Sequence, residues 1–228
     1  KRRRRDGPLR PVKIKGNAAM DDVFLLKILG WDHPGLNINE SIVRYYGLKE
    51  TATHLFGYVG EISREQIPLY NKRYKGLIQF DQGDIVGKSG IEEMWELQIR
   101  GKDGMSYVEV DARGRVAPSE NPIYFGFQPQ PAIPGHNLVL TIDKDLQEAS
   151  FKAMHRQDRV GARIGGVVLI KSNGEILSWV STPSFDPNSF ASGASNQWAQ
   201  LINDPFRPFR NKVIQDPFSP GSTFKPFV

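Results

Sequence analysis

The chain has 228 residues, 39% of them apolar, with 22 Gly, 16 Pro and no Cys, which excludes both a disordered tail and a disulfide-stapled miniprotein and allows one large or two small domains. Its formal charge of +5 is local: Lys1 to Gly16 hold eight basic residues against Asp6, leaving 22 basic and 24 acidic residues elsewhere. That balance argues against a general nucleic-acid surface, which spreads Lys and Arg over a folded face with aromatic residues between them.

In chain order, Met20, Val23, Phe24 and Ile28 recur at helical spacing and predict a helix over 18–29, stopped by Gly30. The alternation in Ile42 to Tyr46 predicts a short strand. Residues 51–58 follow as a short helix closed by Gly57. A helix is predicted over 90–100, with Ser89 and Glu92 at capping-box spacing, an apolar face of Ile91, Met94, Trp95 and Ile99, and Gly101 after its end. Tyr107 to Val110 alternate as a strand between Gly104 and Gly114.

Pro118, Pro122, Pro129, Pro131, Pro134 and Gly135 then mark the best boundary in the chain, dividing residues 1–135 from 136–228. Beyond it the pattern reads as a strand over 138–142, Asp143 as an N-cap, and a helix carrying Leu146, Ala149, Ala153 and Met154. Residues 165–170 and 175–181 are two strands joined across Asn173-Gly174. This order predicts a mixed α+β protein.

No apolar run approaches the roughly 18–20 residues of a membrane-spanning helix, and none follows Lys1 to Arg5 as a signal-peptide core. The basic run reads as a solvated end, a juxtamembrane stub or a docking patch, and the absence of Cys leans towards an extracytoplasmic setting. His33, His54, His136 and His155 are too far apart for a zinc site and are expected at the surface or in hydrogen bonds. Glu92 and Glu93 are adjacent, so they point to different helix faces; a cap and a solvated charge explain them. No phosphate-cradling glycine loop is present.

Ser222-Thr223-Phe224-Lys225 remains. On a helix the Lys225 amine can reach the Ser222 hydroxyl and act as its base if burial depresses the amine's pKa, and Pro220-Gly221 would start that helix at the serine, where backbone N–H groups favour a developing oxyanion. The tetrapeptide alone is unspecific: 15 Ser and 14 Lys in 228 residues produce about one such match by chance.

Its surroundings are specific. Pro220 to Pro226, preceded by Ser181-Thr182-Pro183-Ser184-Phe185-Asp186-Pro187-Asn188, by Asn203-Asp204-Pro205, and by Pro208 and Asn211, resembles the class B penicillin-binding proteins. Leu138 to Asp143 with Leu146-Gln147 resembles the start of their transpeptidase domain. His54 to Gly60, Gly87 to Glu92 and Gly101 to Gly104 are similar to their non-catalytic pedestal, most closely in the branch that serves rod-shape elongation.

The resemblance implies an extended, irregular pedestal up to about Gly135, followed by the opening strands and helix of the transpeptidase's antiparallel sheet. It implies a serine D,D-transpeptidase that crosslinks peptidoglycan stem peptides: Ser222 would form the acyl-enzyme, Lys225 would take its proton, and β-lactams would acylate the same serine. No metal or organic cofactor is expected. The implied partners are an MreC-type scaffold and a RodA-type glycan polymerase at the periplasmic face of a bacterial inner membrane. The family's Ser-x-Asn and Lys-Thr-Gly motifs are expected beyond Val228 and its membrane anchor outside this chain, so the chain by itself is expected to be catalytically incomplete. Ser119-Glu120-Asn121 and Lys88-Ser89-Gly90 imitate those motifs but precede Ser222, and read as linker and as the approach to a helix. The alternative reading is a partner-docking module in which Ser222 is incidental. The aromatic residues Phe206, Phe209 and Phe218 are expected to pack the floor of the catalytic domain.

Overall fold

The structure, a computed structural model, describes residues 14–16, 18–29, 36, 38, 42–105, 128–155, 164–191 and 197–227. The strand expected at Tyr107 to Val110, the basic run Lys1 to Arg5 and Ser119 to Asn121 lie outside the described residues. The chain divides into two units, one of Lys1–Val43 with Arg100–His136, the other of Arg44–Ile99 with Asn137–Val228.

In the first unit the expected helix is present as α1, Met20–Leu29, with Asp21 and Asp22 in its first turn and Lys27 in its last, each suited to the helix dipole. Met20, Phe24, Leu25 and Ile28 are exposed on it. Antiparallel bridges pair Lys102 with Ile133 and Met105 with Gln130.

The second unit begins with a 3-10 turn, Lys49–Thr51, and helix α2, Thr53–Phe56, which Gly57 closes at φ 78° with its N–H on the Thr53 carbonyl. Strand β1, Val59–Glu61, pairs antiparallel with β2, Ile85–Gly87, so that Val59 faces Gly87. Between them lies α3, Ile67–Arg73. Ile62, Tyr74, Phe80 and Val86 form the core here, with Ile67, Tyr70, Ile78 and Leu97 packed against it. Next come two short helices, α4, Gly90–Met94, and α5, Glu96–Ile99.

The single helix expected over 90–100 is therefore broken at Trp95, and the capping box does not form. Ser89 makes no side-chain cap bond, and Glu92 is turned inward and away from the Ser89 N–H. The buried Glu92 carboxylate accepts Arg44 Nε at 2.8 Å and Nη2 at 3.2 Å, a forked pair, and the Tyr46 hydroxyl at 3.2 Å. Burial pushes the Glu92 carboxyl above its usual range, and Arg44 opposes that rise. Glu96 is buried too, accepting the Gly87 N–H at 2.7 Å. Meanwhile Met94 is 75% exposed, so polar satisfaction rather than apolar periodicity chose the inward face.

Helix α6, Lys144–Met154, is capped as expected: Asp143 accepts the Leu146 N–H at 2.9 Å. Its buried residue is Gln147, however, while Ala149 and Ala153 are exposed. Strands β3, Gly165–Ile170, and β4, Ile176–Thr182, form the expected antiparallel hairpin, with Val167 opposite Val180. Its turn closes with the Gly174 N–H on the Lys171 carbonyl, Gly174 standing at φ 91° where a Cβ would be strained. The strand expected over 138–142 forms no ladder: Asp143 N–H reaches the Leu177 carbonyl and the Thr141 hydroxyl the Ile176 carbonyl, which tether the segment without pairing it. Short helices α7, Asn188–Ala191, α8, Trp198–Asn203, and α9, Lys212–Gln215, lead to a final 3-10 turn, Gly221–Phe227. The whole is a mixed α+β architecture.

Three side-chain amides hold these pieces by one geometry. The Asn71 amide pairs with Phe80, its Oδ1 taking the N–H at 2.6 Å and its Nδ2 reaching the carbonyl at 3.0 Å. Asn188 does the same for Tyr46, at 2.8 and 3.0 Å. Gln147 does so for Trp179 on β4, at 2.7 and 2.8 Å, and its Nε2 also reaches the Thr51 carbonyl at 2.8 Å. Tyr46 is thus not a strand residue, because its backbone groups are bonded to a side chain where a neighbouring strand would have bonded them.

Two measurements check this account. Gln147→Glu replaces a buried double donor with an acceptor and should cost about 2–4 kcal/mol near pH 7. A buried carboxyl has a raised folded-state pKa, so the deficit should grow as pH rises and shrink in acid, where the protonated carboxyl donates to the Trp179 carbonyl; urea midpoints against pH read this out. Gly57→Ala, at φ 78°, would set its Cβ 1.8 Å from the Ser89 carbonyl oxygen, whereas Gly76→Ala, at φ 80°, meets open space. Gly76→Ala should cost about 1–2 kcal/mol, and Gly57→Ala several kcal/mol more or the fold itself.

Candidate active site

Ser222 and Lys225 lie in the same 3-10 turn, Gly221–Phe227, and both are exposed. At about three residues per turn, positions i and i+3 are eclipsed, which puts both residues on one side of the backbone. No hydrogen bond joins them among those described. The helix expected to start here is a 3-10 turn. Gly221 begins the turn at φ 56°.

The strip before the turn is firmly seated. Asn211 caps α9 by accepting the Val213 N–H at 3.2 Å, and its Oδ1 lies 3.4 Å from the Trp179 Nε1 donor. Its own N–H donates to Gln215 Oε1 at 2.8 Å. Lys212, 3% exposed, donates its N–H to Ser181 Oγ at 3.0 Å and its Nζ to the Arg207 carbonyl at 3.1 Å. Burial holds the Lys212 amine below its ordinary pKa. An ion pair, Arg210 to Asp216 at 2.6 Å, closes the same short helix. On the hairpin side a Cβ at Gly166 would lie 2.6 Å from Val213 Cγ2, so α9 rests directly on β3.

Around this strip Tyr58, Phe185, Phe190, Trp198 and Phe209 form an aromatic cluster, with Phe185 and Phe209 centroids 4.7 Å apart and Trp198 and Phe209 4.9 Å apart. Of the three phenylalanines expected to pack the floor, Phe209 does so. Phe206 and Phe218 are exposed.

His54, expected at the surface or in hydrogen bonds, is hydrogen-bonded, though its partners were not legible in the sequence. Its Nε2–H donates to the Pro208 carbonyl at 2.7 Å and its carbonyl accepts Asn211 Nδ2 at 3.2 Å. Burial drives its pKa down to about 4, with the Pro208 carbonyl opposing and the Lys212 charge assisting, so the ring is neutral at physiological pH. The one hint was its place in Thr53-His54-Leu55-Phe56-Gly57, a helical turn with a polar ring on an otherwise apolar segment.

Two protein families match the two ends of the chain: the penicillin-binding protein dimerisation domain over residues 3–140 and the penicillin-binding protein transpeptidase domain over residues 164–228. The chain belongs to the penicillin-binding proteins. Among individual proteins, it is 31% identical over its whole length to the peptidoglycan D,D-transpeptidase MrdA of Haemophilus influenzae, covering 33% of that protein. It is similar to PBP2 of Pseudomonas aeruginosa, solved in complex with WCK 5153, at 32% identity and a TM-score of 0.59 over 83% of this chain and 35% of that one. In fold it is also similar to Helicobacter pylori PBP2, solved with MreC, at 24% identity and a TM-score of 0.58 over 88% of this chain and 34% of that one. The chain spans about a third of the length of the curated relatives it matches.

The half-buried imidazole generates a pH prediction. His54 has a folded-state pKa of about 4, below the ordinary 6.5, so its contribution is fully present above pH 6.5 and is lost as pH falls towards 4. That limb amounts to about 3 kcal/mol. Urea unfolding at pH 7, 5.5 and 4.5 should show the loss, and His54→Gln, which keeps a donor but does not titrate, should flatten it.

Proposed function

We propose that the chain is part of a peptidoglycan D,D-transpeptidase of the cell-elongation machinery, with Ser222 as nucleophile and Lys225 as its general base. The observation that carries this is the 3-10 turn, which sets a serine and a lysine on one side of the backbone inside a segment matched by the transpeptidase family. Ser222 Oγ would attack the carbonyl between the two terminal D-Ala residues of a stem peptide, its proton passing to the Lys225 amine. Terminal D-Ala leaves, an acyl-enzyme remains, and the amine of a neighbouring stem peptide resolves it. A β-lactam would acylate the same oxygen through its strained amide.

On this reading residues 1–135 form the non-catalytic part and residues 136–228 open the transpeptidase domain. The enzyme works at the periplasmic face of the inner membrane beside a RodA-type glycan polymerase and an MreC-type scaffold. Among the described residues no helix is long and apolar enough to cross a membrane. A docking role for the non-catalytic part is favoured by α1, whose Met20, Phe24, Leu25 and Ile28 are exposed together.

A fluorescent penicillin tests the chemistry on the full-length protein. Ser222→Ala should abolish covalent labelling, and Lys225→Ala should slow it by roughly 10²–10⁴-fold, the range of a lost general base. Retained labelling in Ser222→Ala would overturn the nucleophile assignment.

A further inference from the structure

His54 lies in the part of the chain matched by the dimerisation family, yet its bonds go to the part matched by the transpeptidase family. Side chain and backbone act together there. The imidazole holds the Pro208 carbonyl, and two atoms of main chain away the His54 carbonyl holds the Asn211 amide. The Phe185 ring stands edge-on to the imidazole at 6.0 Å and fixes its plane.

Asn211 is the residue on which the following helix is built, since it caps α9, meets the Trp179 indole and receives support from Gln215. Beyond α9, residues 217–222 are exposed, so α9 is the last seated element before the turn that carries Ser222. Whatever fixes Pro208 and Asn211 therefore fixes the point from which that turn springs. The neutral state of the ring suits the role, because a neutral imidazole protonated at Nε2 donates to a carbonyl without placing a second cation beside Lys212. Arg210, Asp204 and Asp216 are the other charged groups around that lysine.

We propose that His54 is a positioning residue for the Ser222–Lys225 turn: by gripping Pro208 and Asn211 it lets the non-catalytic part of the chain set where the nucleophile stands. This deepens the transpeptidase reading and rests on it. The mechanism is mechanical, because a nucleophile displaced by an ångström loses about two orders of magnitude in rate while substrate binding, made elsewhere, changes little.

The test is β-lactam acylation of the full-length protein, resolved into the dissociation constant of the first complex and the acylation rate constant, for wild type and for His54→Gln, His54→Asn and His54→Leu. Asparagine is too short to reach Pro208 and leucine has no donor, so both should lower the acylation rate roughly ten- to a hundredfold and leave the dissociation constant within about twofold. Glutamine reaches the carbonyl with an N–H and should restore the rate to within about threefold of wild type. Should the leucine variant fail to fold, Asn211→Asp, which keeps the shape but cannot donate to the His54 carbonyl, should show the same selective loss. Acylation at the wild-type rate in His54→Asn or Asn211→Asp would overturn the proposal, as would a glutamine variant as slow as the asparagine one. A wild-type protein that acylates at a residue other than Ser222 would instead overturn the transpeptidase reading, and with it the premise of this role.

Discussion

A side-chain carboxamide that pairs with both the N–H and the C=O of a single aromatic residue is the interaction on which this structure depends. Asn71 with Phe80, Asn188 with Tyr46 and Gln147 with Trp179 repeat it in the same orientation. Its logic is that of a strand neighbour reduced to one residue: a buried backbone donor and acceptor must both be bonded, and an amide offers the complementary pair at the right spacing. Gln147 does this on the open edge of β4, and Asn188 and Asn71 do it for Tyr46 and Phe80, which lie outside any strand and are buried.

These bonds also explain why residues 44–99 belong to the same unit as residues 137–228 despite the proline-rich stretch between them. Tyr46, Glu50, Thr51, Thr53 and His54 are each bonded to a residue between 147 and 211, through Asn188, Ser184, Gln147, Phe185, and Pro208 with Asn211. The early segment mostly supplies main-chain groups and the later one side chains, with Thr53 and His54 reversing the pattern by donating from their side chains to the Phe185 and Pro208 carbonyls. Gly57 and Gly90 allow the close approach of α2 to the start of α4, where any Cβ would meet backbone. The consequence for function is that the strip leading to Ser222 is held from both sides, by the hairpin through Ser181 and Gly166 and by the upstream segment through His54.

Much of this was legible in the amino acids. The hairpin over 165–182, the Asp143 cap, α1 and the Gly57 stop follow from turn chemistry and periodicity, which act over a few residues and are written locally. The Ser-x-x-Lys turn was legible as a motif, while its 3-10 geometry was not. The strands expected at 42–46 and 138–142 failed because alternation says that a segment is extended without saying what bonds it. The capping box at Ser89 failed because Glu92 had a stronger partner in Arg44, 48 residues away. The buried faces of α4, α5 and α6 were misread for the same reason: Glu92, Glu96 and Gln147 are polar residues turned inward by partners that periodicity cannot see.

By itself, then, the sequence determined the α+β class, the hairpin, the Asp143 cap, the Gly57 stop, the family, and the serine–lysine spacing, all of which depend on contacts within a few residues or on a recognisable order of motifs. Only the tertiary structure decided which polar residues are buried, that His54 meets Pro208 and Asn211 across more than 150 positions, and that the segment around Tyr46 is joined by side-chain amides. The physical reason is that a hydrogen bond is chosen by whichever partner desolvation leaves within reach. That choice is made only after the chain has folded and brought distant residues together.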